Sequence, residues 1–475
     1  MKIGWAAAVL AFVAIGLSAS DRNSEINAFV EAEISESAAP GLAYSVVENG
    51  KSTSRGFGEL EKGSGEAVTA RTTFPIGSVT KSFTALAIMQ LLEAGKLGLD
   101  DDISRHLSAF DASPANGVTI RQLLNHTSGY STVQGNSQHG NSGASQLGLT
   151  EYAGQLAQLA PIHQPGKVWE YSNANYQILG AVIEKVSGTS YSEYIEERIF
   201  EPLGMTNSKV VIGPDPAGMA ARHRPWFGSV RPYTAGDSYA INASAGGIVS
   251  SAEDMSRYLA MWLNGSDDVV TAETKAIMTT SSGPASPRYG LGWSLNPQQG
   301  TVYHTGLVSG AEALASFNPS ESKGVVVMVN ANGGLGFADT WFLIGGTSAR
   351  AMGRSHEDDG SRLGPKVAYL SIAILPPLFV LLTFASWRGR TNLQAKRNSI
   401  GGKLSLWIPL FAMAGLAWAA IALLPRAFGG TIGTLQLYQP DFAWCLLATA
   451  VLAPAWALLR ILIAYSPNRR SDFRR

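Results

Sequence analysis

Three apolar runs near the end of the chain, Val367–Trp387, Leu404–Pro425 and Phe442–Tyr465, limit most strongly what this sequence can fold into. Each supplies the roughly 20 residues that a helix needs to cross the hydrocarbon core of a bilayer. In lipid every backbone polar group must be satisfied internally, which a helix achieves by itself. The loop after the first run carries Arg388, Arg390, Lys396, Arg397 and Lys403 and no acid, whereas the next loop has only Arg426 and Asp441. With Arg469, Arg470, Arg474 and Arg475 in the tail, the positive-inside rule places the first loop and the tail in the cytoplasm. Three spans entered from outside end inside, so the two charge signals agree. Arg460 can snorkel from the inner end of the third run, and Pro376-Pro377 predict a kink in the first. No row of intramembrane carboxylates or histidines marks a transport path, so the runs read as an anchor or a partner-docking module.

The rest of the chain has a different character. The whole balances 36 basic against 36 acidic residues, yet from Lys366 onward there are 12 basic and 2 acidic, and over 21–365 there are 23 basic and 34 acidic. Such a split argues for two surroundings, a multi-pass cytoplasmic membrane region and a domain facing the periplasm or cell exterior. An acidic domain without a basic stripe excludes a nucleic-acid partner. The single cysteine, Cys445, rules out an intramolecular disulfide. Met1-Lys2, the apolar stretch Ile3–Leu17 and Ser18-Ala19-Ser20 have the layout of a secretory signal peptide, with an uncleaved anchor as the alternative. The expected organisation is a signal peptide at 1–20, one large two-part domain at 21–353, a linker at 354–365 and a membrane region at 366–475.

Within the domain, Gly41–Val47 and Ser52–Glu59 are β-prone runs joined through Asn49-Gly50, a strong hairpin signal. Glu312–Phe317 and Gly324–Asn330 form a second pair. Helical stretches lie between them at Ser82–Gly95, Ile120–Leu124, Tyr176–Val186, Tyr191–Phe200 and Ala252–Leu263. Strands at both ends and helices in the middle predict an α+β domain, an antiparallel sheet built from the termini with a helical insert. Its functional cleft is expected between the two parts.

Ser78-Val79-Thr80-Lys81 opens the first helical stretch, where Phe83, Leu86, Met89 and Leu92 fall on roughly one face. A serine three residues before a lysine at a helix start shares a face with it, one turn away. The helix dipole favours negative charge on the serine oxygen, and burial can lower the lysine pKa enough for it to accept a proton. A Ser/Lys pair is thus an activated nucleophile. Ser320-Glu321-Ser322-Lys323 repeats the spacing, but in a polar hairpin turn with no helix behind it. Tyr171-Ser172-Asn173 adds a phenol able to relay protons and an amide able to bond both the lysine and a substrate amide. On a probable strand, His304-Thr305-Gly306 adds a glycine that lets substrate backbone approach. The following Leu307 N–H could pair with that of Ser78 as an oxyanion hole.

In that order, these three motifs resemble those of the penicillin-recognising serine hydrolases, in the class C β-lactamase and DD-peptidase branch. Leu123–Gly129, Pro202–Met205 and Ala245–Ile248 agree with it, and the likeness covers about residues 25–350. The resemblance implies an acyl-enzyme on Ser78 with Lys81 as proton acceptor and Tyr171 as the relay to the leaving group and to water. Which of Lys81 and Tyr171 is the base stays open. It further implies that Asn173, His304, Thr305, Gly306 and Leu307 bind the substrate, with no metal or cofactor. The expected partners are a small-molecule or peptidoglycan-type substrate and the lipid bilayer. His304 stands where class C β-lactamases usually carry lysine, and Tyr289–Tyr303 contains no Lys or Arg, leaving Arg288 as the nearest cation. The expected activity is therefore hydrolysis of D-amino-acid peptide, amide or ester bonds. A class C-like β-lactamase and a non-enzymatic penicillin or muropeptide receptor are the alternatives.

Overall fold

The computed structural model describes residues 19–137, 147–234, 240–356 and 362–467. Most of the expected signal segment, the middle of the expected linker and the tail arginines lie outside the described residues. The strands are β1 (Gly41–Glu48), β2 (Lys51–Gly58), β3 (Thr73–Pro75), β4 (Lys209–Val210), β5 (Arg222–Trp226), β6 (Ser229–Tyr233), β7 (Ile248–Ser251), β8 (Ser294–Asn296), β9 (Thr301–Val308), β10 (Ala311–Asn318) and β11 (Lys323–Val329). Six of them make an antiparallel sheet in the order β2-β1-β11-β10-β9-β8, so strands from the two ends of the domain pair at its centre. The β1–β2 turn takes positive φ at both Asn49 and Gly50, and Glu48 sits opposite Lys51, as a two-residue hairpin demands.

Side-chain alternation explains why both faces of the sheet are covered. Val325, Val327 and Val329 of β11 join Leu42, Tyr44 and Val46 of β1 in a core completed by Ile26 and Val30 of the helix Ala19–Glu36 and by Leu343 and Ile344 of the helix Thr340–Ala351. Val326 and Met328 point the other way, with Ala43 and Val47, onto Phe83, Met255, Leu259 and Trp262. An unbroken apolar run of this kind is what a strand buried on both faces requires. The helical insert, including Ile120–Leu124, Leu149–Leu156 and Asn173–Ser187, packs around the helix Thr80–Glu93. That helix begins two residues before the expected stretch and is buried on nearly every side, from Thr80 through Met89, rather than along one stripe. It is the axle of the domain.

Three helices, Leu363–Arg388, Ile400–Ala427 and Pro440–Tyr465, are long and apolar enough to cross a membrane. The first is interrupted at Ile374, just before Pro376-Pro377, which cannot donate the backbone bonds of a continuous helix. The third bonds to both others: Trp456 Nε1 donates to Ser386 Oγ at 3.1 Å, and Arg460 Nη2 to the Ser405 carbonyl at 3.2 Å. Met328→Ala removes a side chain with 0% exposure at the centre of the sheet. It should cost about 2–5 kcal/mol, read as a lower denaturant midpoint for the domain; an unchanged midpoint would contradict this packing.

Candidate active site

A short 3₁₀ turn, Gly77–Val79, delivers Ser78 to the start of the helix Thr80–Glu93, and Lys81 follows one turn later. The turn is pressed against β9. Gly77 adopts φ +50°, and a methyl group there would lie 2.7 Å from the Leu307 amide nitrogen. A methyl group on Gly306 would overlap the Ile76 carbonyl oxygen. The close approach that needs Gly306 is therefore made by the chain's own backbone, not by a substrate strand as the sequence led us to expect. These two glycines bring the Ser78 turn alongside Leu307, the pair of amides expected to hold an oxyanion.

Lys81 is wholly buried, and its Nζ lies among three oxygens: Ser78 Oγ at 3.0 Å, Asn173 Oδ1 at 2.8 Å and the Ala245 carbonyl at 2.7 Å. No carboxylate offsets the loss of water, and burial pulls its pKa well below 10.5. As an amine, Lys81 donates two hydrogens to the carbonyl oxygens of Asn173 and Ala245, which can only accept. The remaining contact of Nζ, with Ser78 Oγ, is the one through which a proton can pass from the hydroxyl once Nζ is deprotonated.

Tyr171 lies in the extended segment that enters the helix Asn173–Ser187, held where Ser172 Oγ donates to the Ser131 carbonyl at 2.8 Å and Ser172 N to His126 Nδ1 at 3.2 Å. Burial raises the Tyr171 pKa, and a hydrogen bond with Ser78 opposes the rise without cancelling it. Lysine and tyrosine are driven in opposite directions, which favours the amine as base and the phenol as acid.

Along β9 burial alternates, with His304 and Gly306 facing inward and Thr305 and Leu307 exposed. The His304 ring is engaged at both nitrogens: Nδ1 donates to the Thr305 carbonyl at 2.7 Å, and Nε2 accepts from the Tyr289 hydroxyl at 3.0 Å. Burial first, and then the positive charge Lys81 carries when protonated, depress its pKa to about 3. His304 thus offers the cleft neither a cation nor a free ring nitrogen, and Thr305 and Leu307 are the exposed residues of this stretch of β9. Arg288 is exposed and bonds to none of these residues. The second Ser-x-x-Lys is a surface turn, with Lys323 paired to Glu48 at 3.5 Å.

Sequence reasoning passed over three neighbours. His126, in left-handed conformation at φ +60°, stacks 4.4 Å from the Tyr171 ring. Tyr289 caps the second ring nitrogen of His304, whose tautomer the Thr305 carbonyl sets. Asn136 Oδ1 accepts from Asn173 Nδ2 at 2.8 Å and so orients the amide that holds Lys81. His126 lies within Leu123–Gly129, so its signal was present but its ring contacts join distant segments.

Residues 26–345 match the family described as Beta-lactamase. The chain belongs to the Beta-lactamase family. Members of this family are typically serine hydrolases, and it unites penicillin-binding proteins, esterases and class C β-lactamases on one fold. The chain is 28% identical to Protein flp of Staphylococcus aureus (strain MRSA252) over 324 residues, which cover 66% of this chain and 64% of that protein. It thus spans less than two thirds of that relative's length. It is 29% identical to Penicillin-binding protein 4 of Amycolatopsis lactamdurans over 321 residues, 62% of this chain and 81% of the other. The octameric penicillin-binding protein homologue from Pyrococcus abyssi superposes with TM-score 0.60 at 28% identity, covering 70% of this chain and 78% of that one. The three apolar helices lie beyond the family match.

Gly306→Ala should push the Ser78 turn off β9, cost about 1–3 kcal/mol and slow labelling of Ser78 by a fluorophosphonate; labelling at the native rate would contradict the contact. His304 takes up a proton near 6.5 when unfolded but only near 3 when folded, so it withdraws stability as pH falls between those values. It should add no inflection to the labelling rate between about pH 5 and 8, and an inflection abolished by His304→Gln would overturn the neutral-ring assignment.

Proposed function

We propose that this chain is a membrane-tethered serine hydrolase facing the periplasm or cell exterior. It cleaves ester or amide bonds through an acyl-enzyme on Ser78, in the manner of DD-peptidases and esterases. The observation that carries this reading is the buried Lys81 amine set between Ser78 Oγ and two carbonyl acceptors, with no acid beside it. As Ser78 Oγ attacks the scissile carbonyl, its proton passes to Lys81 Nζ. The new ammonium keeps the Asn173 and Ala245 oxygens as acceptors. The Ser78 and Leu307 amides stabilise the oxyanion, a type of contribution that is often the largest in acyl transfer. The Tyr171 phenol, bonded to Ser78 and held protonated by its raised pKa, hands a proton to the leaving group and takes back the one that Lys81 accepted. The same relay in reverse activates the water that releases the acyl group.

Substrate preference follows from β9. With His304 neutral and turned inward, and no Lys or Arg in Tyr289–Tyr303, this stretch of chain brings no fixed cation to a substrate carboxylate. Exposed Thr305 and Leu307 suit an uncharged ester or amide flank better than a carboxylate-bearing β-lactam. An intact Tyr171 relay favours turnover over a receptor that stays acylated.

Ser78→Ala should abolish covalent labelling by a fluorescent penicillin or a fluorophosphonate, and labelling that persists places the nucleophile elsewhere. Lys81→Ala should slow acylation by about 10²–10⁴-fold with the fold intact, and near-native rates would remove its role as base. Offered a short-chain ester, a D-Ala-D-Ala peptide and a chromogenic cephalosporin, the protein should turn over the ester fastest; a preference for the cephalosporin would favour the β-lactamase alternative.

A further inference from the structure

The segment joining the second and third apolar helices, from Phe428 to Gln439, is docked on both banks of the Ser78 cleft. On the side of the helical insert, Asn136 Nδ2 donates to the Gly429 carbonyl at 2.9 Å. Asn136 also accepts from Asn173, whose Oδ1 accepts from Lys81, so an unbroken chain of hydrogen bonds runs from Lys81 to this segment. On the sheet side the segment forms the helix Ile432–Tyr438, whose last carbonyls have no partner within the helix. The domain supplies them: Arg224 Nη1 donates to Gln436 and Leu437 at 3.3 and 3.2 Å, Ser309 Oγ to Leu437 at 2.6 Å, and Asn332 Nδ2 to Tyr438 at 2.9 Å. Ser309 is two residues past Leu307, whose amide lies beside the Ser78 turn. The Tyr438 phenol is close enough to Tyr171 to raise its pKa further. Ser78, Thr305 and Leu307 nevertheless remain accessible, so the segment borders the cleft without filling it.

This docking fixes the depth of the site. Gly429 lies two residues beyond Ala427 and Leu437 three residues before Pro440, so both tethers sit within about 11 Å of the ends of the apolar helices. Phe227, 56% exposed, lies beside the start of the third helix, its amide donating to Asp441 Oδ2 at 2.8 Å. Phe337, also exposed, packs with its ring 6.2 Å from Tyr369 of the first helix.

We propose that the Phe428–Gln439 segment is a wall of the active site and that the substrate is an ester or amide carried by a lipid of the same bilayer, reached at headgroup depth. This rests on Ser78 being the nucleophile. The apolar, exposed Leu307 beside the oxyanion position suits a substrate that arrives with its hydrocarbon part, whereas a water-borne substrate has no need of a cleft pinned to the membrane.

The test uses the full chain in phosphatidylcholine vesicles and two fluorophosphonates with the same reactive phosphorus, one short and water-soluble, the other bearing a hexadecyl chain that places it in the bilayer. Wild-type protein should label faster with the bilayer-borne probe. In the Arg224→Ala/Ser309→Ala double variant, which releases the segment from the sheet side, the ratio of long-probe to short-probe rates should fall about fivefold or more. Ser309→Ala alone, which removes only a hydroxyl, should shift the ratio in the same direction. Simple partitioning into lipid would leave the ratio unchanged in both variants, and that result would overturn the proposal. Faster short-probe labelling in the double variant would show the segment to be a plug instead, and a wild-type preference for the short probe would show that the substrate comes from water. Labelling that survives Ser78→Ala, or no labelling by either probe, would instead remove the nucleophile assignment on which the proposal rests.

Discussion

Burial of one lysine without an acidic partner is the constraint on which the site depends. An ammonium removed from water and given no carboxylate is costly, and the group responds by losing its proton more readily. For Lys81 that requires a helix enclosed on almost every side, which the all-round burial of Thr80–Glu93 provides. It also requires that the few polar atoms left near Nζ be acceptors held from elsewhere. Asn173 comes from the helical insert, its amide set by Asn136, and the Ala245 carbonyl comes from the turn before β7. The three segments are remote in sequence, so the chemistry exists only when both halves of the domain are assembled.

The sheet supplies the second requirement. Because side chains alternate along β9, the strand that leaves Thr305 and Leu307 exposed must turn His304 and Gly306 inward. Gly306 then admits the backbone of the Ser78 turn, while His304 becomes a neutral strut between Tyr289 and its neighbour's carbonyl. The neutral histidine and the close packing of the Ser78 turn thus follow from one strand register. A slip of one residue would reverse both.

Much of this was legible in the chain. Asn49-Gly50 set the first hairpin, the alternating and continuous apolar runs gave the sheet its covered faces, and the apolar runs near the end became three long helices. The Ser78–Lys81 spacing was readable because a helix turns it directly into proximity. Other features were hidden for physical reasons. The four apolar positions Phe83, Leu86, Met89 and Leu92 implied a one-sided stripe, but threonine, serine and alanine on the remaining faces are small enough to be buried too. The phase of β9 was ambiguous, since Val302 and Leu307 place apolar residues on both sides of the alternation. His126, Asn136 and the segment between the second and third apolar helices act through contacts between distant stretches, for which no local pattern exists.

Burial should draw the Lys81 pKa well below the ordinary lysine value, so that Nζ can take the Ser78 proton, and direct titration of Nζ tests this most closely. In protein carrying ¹⁵N-labelled lysine, one side-chain resonance, absent from Lys81→Arg, should titrate well below the ordinary lysine value of about 10.4. If that resonance remains an ammonium up to pH 10, Lys81 is not the base and the account fails.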